Sequence, residues 1–307
     1  MQEIRATIAA LIAVVTLTGP NAALAATGLT ILQPVSPWEV NYADDVCELA
    51  RTFGHGPDEV TIEFRQFGPG KTFTLFAAGP SLKFSTRARG LVTDFEPGGR
   101  RLEDQSTFVG TLQDGRSVAE VSTSMLPPDQ ATVTGGSAAR TTPAVADEAK
   151  PLVYDREAEA KVTRLRLSGP IAHDIVLELG PMDKPMDAMR ACIDELLTHW
   201  GVDAAAQRTL TRRAAPRSNP GAWAMPGDYP ASMLRAGKSA VVHFRLMIDP
   251  TGAPTKCIIQ TSGDDPEFDK ITCSLMMQRA RFNPALDAAG RPIASFYVSS
   301  IRWMTPG

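Results

Sequence analysis

The stretch VVHFRLMI (Val241–Ile248), the turn DPTG (Asp249–Gly252) and KCIIQTSG (Lys256–Gly263) decide how the carboxy-terminal quarter of this chain folds. Val242, Phe244, Leu246 and Ile248 alternate with Val241, His243, Arg245 and Met247, which is the period of a strand. Asp265-Pro266 then opens a helix in which Cys273, Met276, Met277 and Ala280 recur at i, i+3, i+4 and i+7, a stripe suited to lying on a sheet. RFNPA (Arg281–Ala285) and SFYVSSIRW (Ser295–Trp303) complete the unit. The order strand, turn, strand, helix, strand predicts a three-stranded antiparallel sheet packed by one helix. Such a sheet keeps an unpaired edge, which is able to take another chain's backbone as an added strand.

The other end of the chain indicates a compartment. Residues 1–26 read as a secretory signal peptide, with Arg5 near the start, an apolar run from Ala6 to Leu17, and Ala23-Leu24-Ala25 as a small-x-small cleavage pattern. That run falls short of the roughly 20 apolar residues a spanning helix needs. The expectation is a cleaved signal and an exported, periplasmic protein; the alternative is an uncleaved inner-membrane anchor. The net charge of -3, with no basic stripe interleaved with aromatics, argues against nucleic acid. An even set of four cysteines in an oxidising compartment points to disulfides. Of the three pairings, spacing favours Cys257–Cys273 and Cys47–Cys192, because each pair then stays within one domain.

The fold class expected overall is α+β. Residues 28–203 read as a strand-rich domain ending in an amphipathic helix. Val60–Phe67 and Thr72–Ala77 flank Gly68-Pro69-Gly70, and Phe108–Leu112 and Ser117–Val121 flank Asp114-Gly115, so each pair predicts a hairpin. Pro37–Val40, Cys47–Phe53, Val162–Leu167 and Ile175–Leu179 are further strands. Residues 126–150, rich in Pro, Gly, Ala, Thr and Ser, read as a long flexible loop. Met186, Met189, Ile193, Leu196, Leu197 and Trp200 mark the helix, with Asp183 as a candidate cap, Pro185 in its first turn and Gly201 as its stop. Residues 204–228 read as a locally basic linker, and residues 229–307 as the small module.

The spaced string Tyr229-Pro230, first strand, Asp-x-x-Gly turn ending at Gly252, second strand, helix, Arg281-Phe282-x-Pro284 and final strand resembles the TonB carboxy-terminal domain family. The resemblance covers residues from about 229 to 303. It implies a periplasmic, non-catalytic module that binds a short extended peptide of an outer-membrane transporter or other envelope protein. It also implies the final strand as acceptor: Phe296, Tyr297, Val298, Ser299, Ser300, Ile301, Arg302 and Trp303. Strand exchange at the same edge would make a homodimer. Members of that family keep an amino-terminal anchor and a long proline-rich spacer, whereas this chain shows a signal pattern and a folded domain in their place.

Signals for catalysis are sparse. His55, His173, His199 and His243 are dispersed, with no H-E-x-x-H, no C-x-x-C, no G-x-S-x-G and no phosphate-cradling glycine loop. No metal and no cofactor are expected. An exported enzyme with its site in residues 28–203 is the alternative reading. True energy transduction through an uncleaved anchor is another.

Overall fold

The computed structural model describes residues 28–84, 90–103, 107–127, 149–261 and 265–305. The expected signal peptide, most of the expected loop 126–150, and Ser262 to Asp264 lie outside these residues.

The amino-terminal part is a two-sheet sandwich. Its strands are β1 (Thr30–Leu32), β2 (Glu39–Tyr42), β3 (Cys47–Phe53), β4 (Val60–Gln66), β5 (Thr72–Gly79), β6 (Val92–Glu96), β7 (Arg101–Leu102), β8 (Phe108–Thr111), β9 (Ser117–Ser124), β10 (Arg164–Ser168) and β11 (Ile175–Glu178). One sheet runs β2-β3-β4-β5-β9-β8 and the other β1-β11-β10-β6-β7. All pairings are antiparallel except β1 with β11. The predicted hairpins β4–β5 and β8–β9 are both present. Alternation sets the inner faces: Leu49, Ile62, Phe64 and Leu75 of one sheet share a core with Phe95, Leu165, Leu167 and Leu177 of the other.

Two helices close the sandwich. Helix α1 (Arg156–Lys161) is capped by the Asp155 carboxylate, which accepts from the Ala158 N–H at 2.9 Å. Helix α2 (Asp183–His199) turns Met186, Met189, Cys192, Ile193 and Leu196 into the same core. Its N-cap is Met182 rather than Asp183. Asp183 instead opens the first turn, where its charge complements the exposed N–H groups. Gly201, at φ 75°, ends the run as anticipated. Arg190 of α2 grips the buried Glu159 of α1 with two 3.0 Å hydrogen bonds.

The carboxy-terminal part has a three-stranded sheet of β13 (Ala240–Ile248), β14 (Pro254–Thr261) and β18 (Ser295–Trp303), in the order β14-β13-β18. Helix α5 (Pro266–Arg279) covers one face. The buried line of α5 is Phe268, Thr272, Leu275 and Met276; Cys273 and Met277 flank it. The stripe is therefore rotated from the one expected, because Phe268 is the largest side chain available to fill the sheet.

The segment read as a linker is folded onto this module. It holds α3 (Ala204–Arg208) and β12 (Ala215–Pro216), and β12 pairs with β15 (Phe282–Asn283). The short strands β16 (Ala285–Leu286) and β17 (Pro292–Ile293) pair beside it. Leu210, Ala214 and Trp223 are buried in the core of the module. The basic residues have structural partners: Arg212 donates to the Pro284 carbonyl, and Arg217 to the carbonyls of Phe282 and Thr251. A short helix, α4 (Ala231–Arg235), starts after Pro230.

Both expected disulfides are present, Cys47–Cys192 and Cys257–Cys273. The second ties α5 to β14 across 16 positions. Replacing Cys257 and Cys273 together by serine is expected to lower stability by about 3 kcal/mol on the loop-entropy view. Urea unfolding of the full chain, compared with and without reductant, checks this.

Candidate functional site

The module has two edge strands, and they differ. β14 begins at Pro254, is tied down by Cys257, and slips register against β13 at His243/Phe244 and at Met247/Ile248. Proline and irregular pairing are the usual guards of an edge. β18 has neither. It runs nine residues in unbroken register with β13, from Ala240↔Trp303 to Ile248↔Ser295, without Pro or Gly. Among the described residues no strand pairs with its outer side.

Most side chains of β18 are committed inward. By register, Tyr297, Ile301 and Trp303 share the helix-covered face with Leu246, Val242 and Ala240. Tyr297 lies 5.0 Å from Phe282 and 5.9 Å from Trp223, ring centre to ring centre. Trp303 stacks on Phe268 at 5.9 Å and donates its indole N–H to Thr272 Oγ1 at 3.0 Å. On the other face Phe296 meets Trp200 at 5.6 Å, and Val298 lies against Gly68, where an added Cβ would stand 3.1 Å from a Val298 methyl. Ser300 is exposed. The aromatic residues of β18 thus anchor the strand, and its outer edge presents main chain.

The second face of the sheet is covered by the sandwich. Arg245 of β13 is 6% exposed, donates to Asp45 at 2.7 Å and places its guanidinium 3.7 Å from the Trp200 ring centre. Gln260 of β14 donates to the carbonyls of Asp45 and Phe67 at 2.8 and 2.9 Å. His243 stacks on Phe67 at 4.0 Å. Sequence reasoning missed this contact. The signal available was the mixed second face of β13, where Val241 and Met247 flank His243 and Arg245.

The motif residues behind the resemblance are structural. Gly252 sits at φ +87°, and a Cβ there would lie 2.0 Å from the Phe282 carbonyl oxygen, so only glycine allows the approach. Phe282 N–H in turn donates to the Gly252 carbonyl at 2.9 Å. Phe282 is fully buried against Trp223 and Tyr297. Tyr229 packs edge-on to Phe268 and Trp303, both at 5.7 Å, and donates to the Lys238 carbonyl. Pro284 supplies the carbonyl that Arg212 holds, while Arg281 donates to the Ala280 carbonyl.

Residues 226–305 match the family described as Gram-negative bacterial TonB protein C-terminal. That is about a quarter of the chain, and the match reaches three residues further upstream than the motif string, taking in the Pro226–Asp228 turn. It marks the module as a TonB-like, protein-interacting domain of the cell envelope, and that domain family is not enzymatic. No curated protein matches the chain.

The four histidines fall on separate elements. His55 precedes the turn Gly56–Asp58, His173 lies between β10 and β11, His199 ends α2, and His243 sits in β13. Among the described residues no group of three or more His, Cys, Asp or Glu is arranged to hold a metal ion. No described helix is long and apolar enough to cross a membrane. A cleft of about 350 Å³ at the end of the sandwich is lined by Phe73, Met125, Tyr154, Asp155, Glu159 and Met186. Its carboxylates are held by their own fold, Asp155 as the α1 cap and Glu159 by Arg190. Burial pushes the Tyr154 phenol above its ordinary range, against the nearby Arg213 and Arg190 charges.

Two outcomes follow for the module. Arg245→Ala is expected to cost about 2 kcal/mol, the scale of a charged hydrogen bond lost from a largely dry site, read by chemical denaturation. The second concerns acid. Hydrogen bonds from Arg279, at 2.6 and 2.8 Å, and from the Met225 N–H hold the Asp228 carboxyl below its usual range. A depressed carboxylate contributes stability above its unfolded pKa and loses it as pH falls through the folded value. Stability should therefore drop on acidification below about pH 4, and Asp228→Asn should flatten that part of a pH-dependent melting curve.

Proposed function

We propose that the chain is an exported periplasmic protein whose TonB-like module captures an extended segment of another envelope protein at the outer edge of β18. An outer-membrane transporter peptide is the partner the family likeness favours. The observation that supports the reading is the contrast between the two edges: β14 is guarded by proline, bulges and a disulfide, whereas β18 is regular and, among the described residues, no strand pairs with its outer side. Main-chain bonds along nine residues would supply affinity, and alternate side chains of the incoming strand would meet the flanking surfaces.

In this reading the signal pattern in residues 1–26 is cleaved. The sandwich, packed on the back of the sheet, takes the place of a long spacer, so the module acts by docking and is not pulled upon. The edge that admits a peptide would also admit β18 of a second copy.

Successive amides of a strand point to opposite edges, and proline removes the donor. Proline is therefore placed at Ser299 and, separately, at Ser300. One variant replaces an outward N–H and should lose capture of transporter-derived peptides while keeping its circular dichroism. The other breaks a bond to β13 and should destabilise the sheet. Capture retained by both folded variants would sink the edge reading.

A further inference from the structure

We infer that the cleft at the end of the sandwich is a side-chain pocket for the strand that pairs with β18, and that it takes one large apolar residue of that strand. The inference rests on the reading of β18 as the capturing edge and names the kind of partner sequence that edge would prefer.

The contacts between sandwich and module step across the sheet in strand order. Gln260 of β14 reaches the Asp45 and Phe67 carbonyls, His243 of β13 stacks on Phe67, and Val298 of β18 meets Gly68. From Phe67 onward the sandwich chain therefore runs outward beneath the module, from β13 toward β18. Its next residues include Gly70 and Lys71, which line the cleft of about 350 Å³. Gly70 stands two residues from Gly68, a reach of at most about 7 Å. The cleft thus opens beside the outer edge of β18, on the sandwich side. The turn between them is fixed, since the buried Gln66 amide donates to the carbonyls of Gly70 and Thr72 at 3.0 and 3.2 Å.

A strand added to β18 would lie about 4.8 Å outside it. Its residue facing Val298 would point to the same side as Val298, toward the sandwich. The glycine turn leaves the way clear: a Cβ at Gly70 would meet nothing nearer than the Thr72 carbonyl oxygen at 3.8 Å. The floor is apolar, built from Phe73, Met125 and Met186 of the sandwich core, with Leu126 and Ala158 beside them. Methionine adapts to more than one apolar shape, which suits a floor that receives a side chain from another molecule. The carboxylates of the cleft are held by the Ala158 amide and by Arg190, and the Arg190 guanidinium lies 4.9 Å over the Tyr154 ring centre, which steadies that wall. A Phe or Leu side chain matches this lining. Burying one is worth about tenfold to a hundredfold in affinity.

The test uses the full chain and fluorescently labelled peptides of nine residues, made of threonine, serine and lysine, in which one Phe is moved through the central positions. Anisotropy titration should find one position at which Phe raises affinity about tenfold to a hundredfold over the Phe-free peptide, and its immediate neighbours should give no such gain. In Ala158→Trp, which fills the cleft from α1, the two peptides should bind alike. Should that variant fail to fold, Gly70→Leu, which fills the cleft from the β4–β5 turn, decides the matter. A benzophenone-bearing Phe at the preferred position should cross-link to Met125 or Met186. Affinity indifferent to Phe at every position, a preference that survives in the folded cleft variant, or a cross-link outside the cleft overturns the pocket. The edge reading survives any of these as long as the outward proline variant still loses the peptides. Peptides that bind despite both proline variants, or that do not bind at all, overturn the edge reading and the pocket together.

Discussion

The burial of Arg245 constrains the whole arrangement. A three-stranded sheet has two faces, and α5 covers one of them. The second face carries Arg245 at its centre, and a guanidinium removed from water must be paired or it is costly. Its partners, Asp45 and Trp200, belong to different elements of the sandwich, the β2–β3 connection and the end of α2. The disulfide Cys47–Cys192 joins those same two elements, two residues beyond Asp45 and two helical turns before Trp200. It thereby holds the two halves of the Arg245 socket at a set spacing. Preorganisation of this kind lowers the entropy lost when the second domain settles.

From that constraint follows the way β18 is presented. Phe296 and Val298 rest on Trp200 and Gly68, so β18 is held by both domains. A strand clamped on both faces loses little freedom when a partner pairs with its edge. Residues 204–228 and the sandwich wrap the TonB-like module, and among the described residues no strand pairs with the outer edge of β18.

The fold of the module was legible because its pattern is local. The alternation in Val241–Ile248, the Asp249–Gly252 turn and the aromatic final strand each depend on near neighbours, and all three fell where expected. Both disulfides were legible for the same reason, since pairing within domains is a topological preference. What escaped was set by contacts distant in sequence. Arg212 and Arg217 look like a solvated basic linker until Pro284, Phe282 and Thr251 supply carbonyls more than 30 positions away. The α5 stripe is rotated as well, because the bulk of Phe268 rather than the sulfur residues sets which line of the helix meets the sheet. In the site, the run Phe296–Trp303 was located correctly as a strand, but the division of its side chains between two cores depends on Trp200, Trp223 and Gly68, which no window around residue 300 contains.

That division bears on how such a module chooses partners. An edge offers the same row of N–H and C=O groups to any extended chain, so main-chain pairing alone discriminates poorly. Selectivity has to come from side chains beside the edge, and those of β18 itself are mostly turned into the protein. The neighbouring surfaces are then the β4–β5 turn at Gly68 and the wrapping segment that carries Trp223. Neither belongs to the three-stranded sheet. Grafting the sheet alone would carry over the capacity to pair with a strand but leave behind the means of choosing which one.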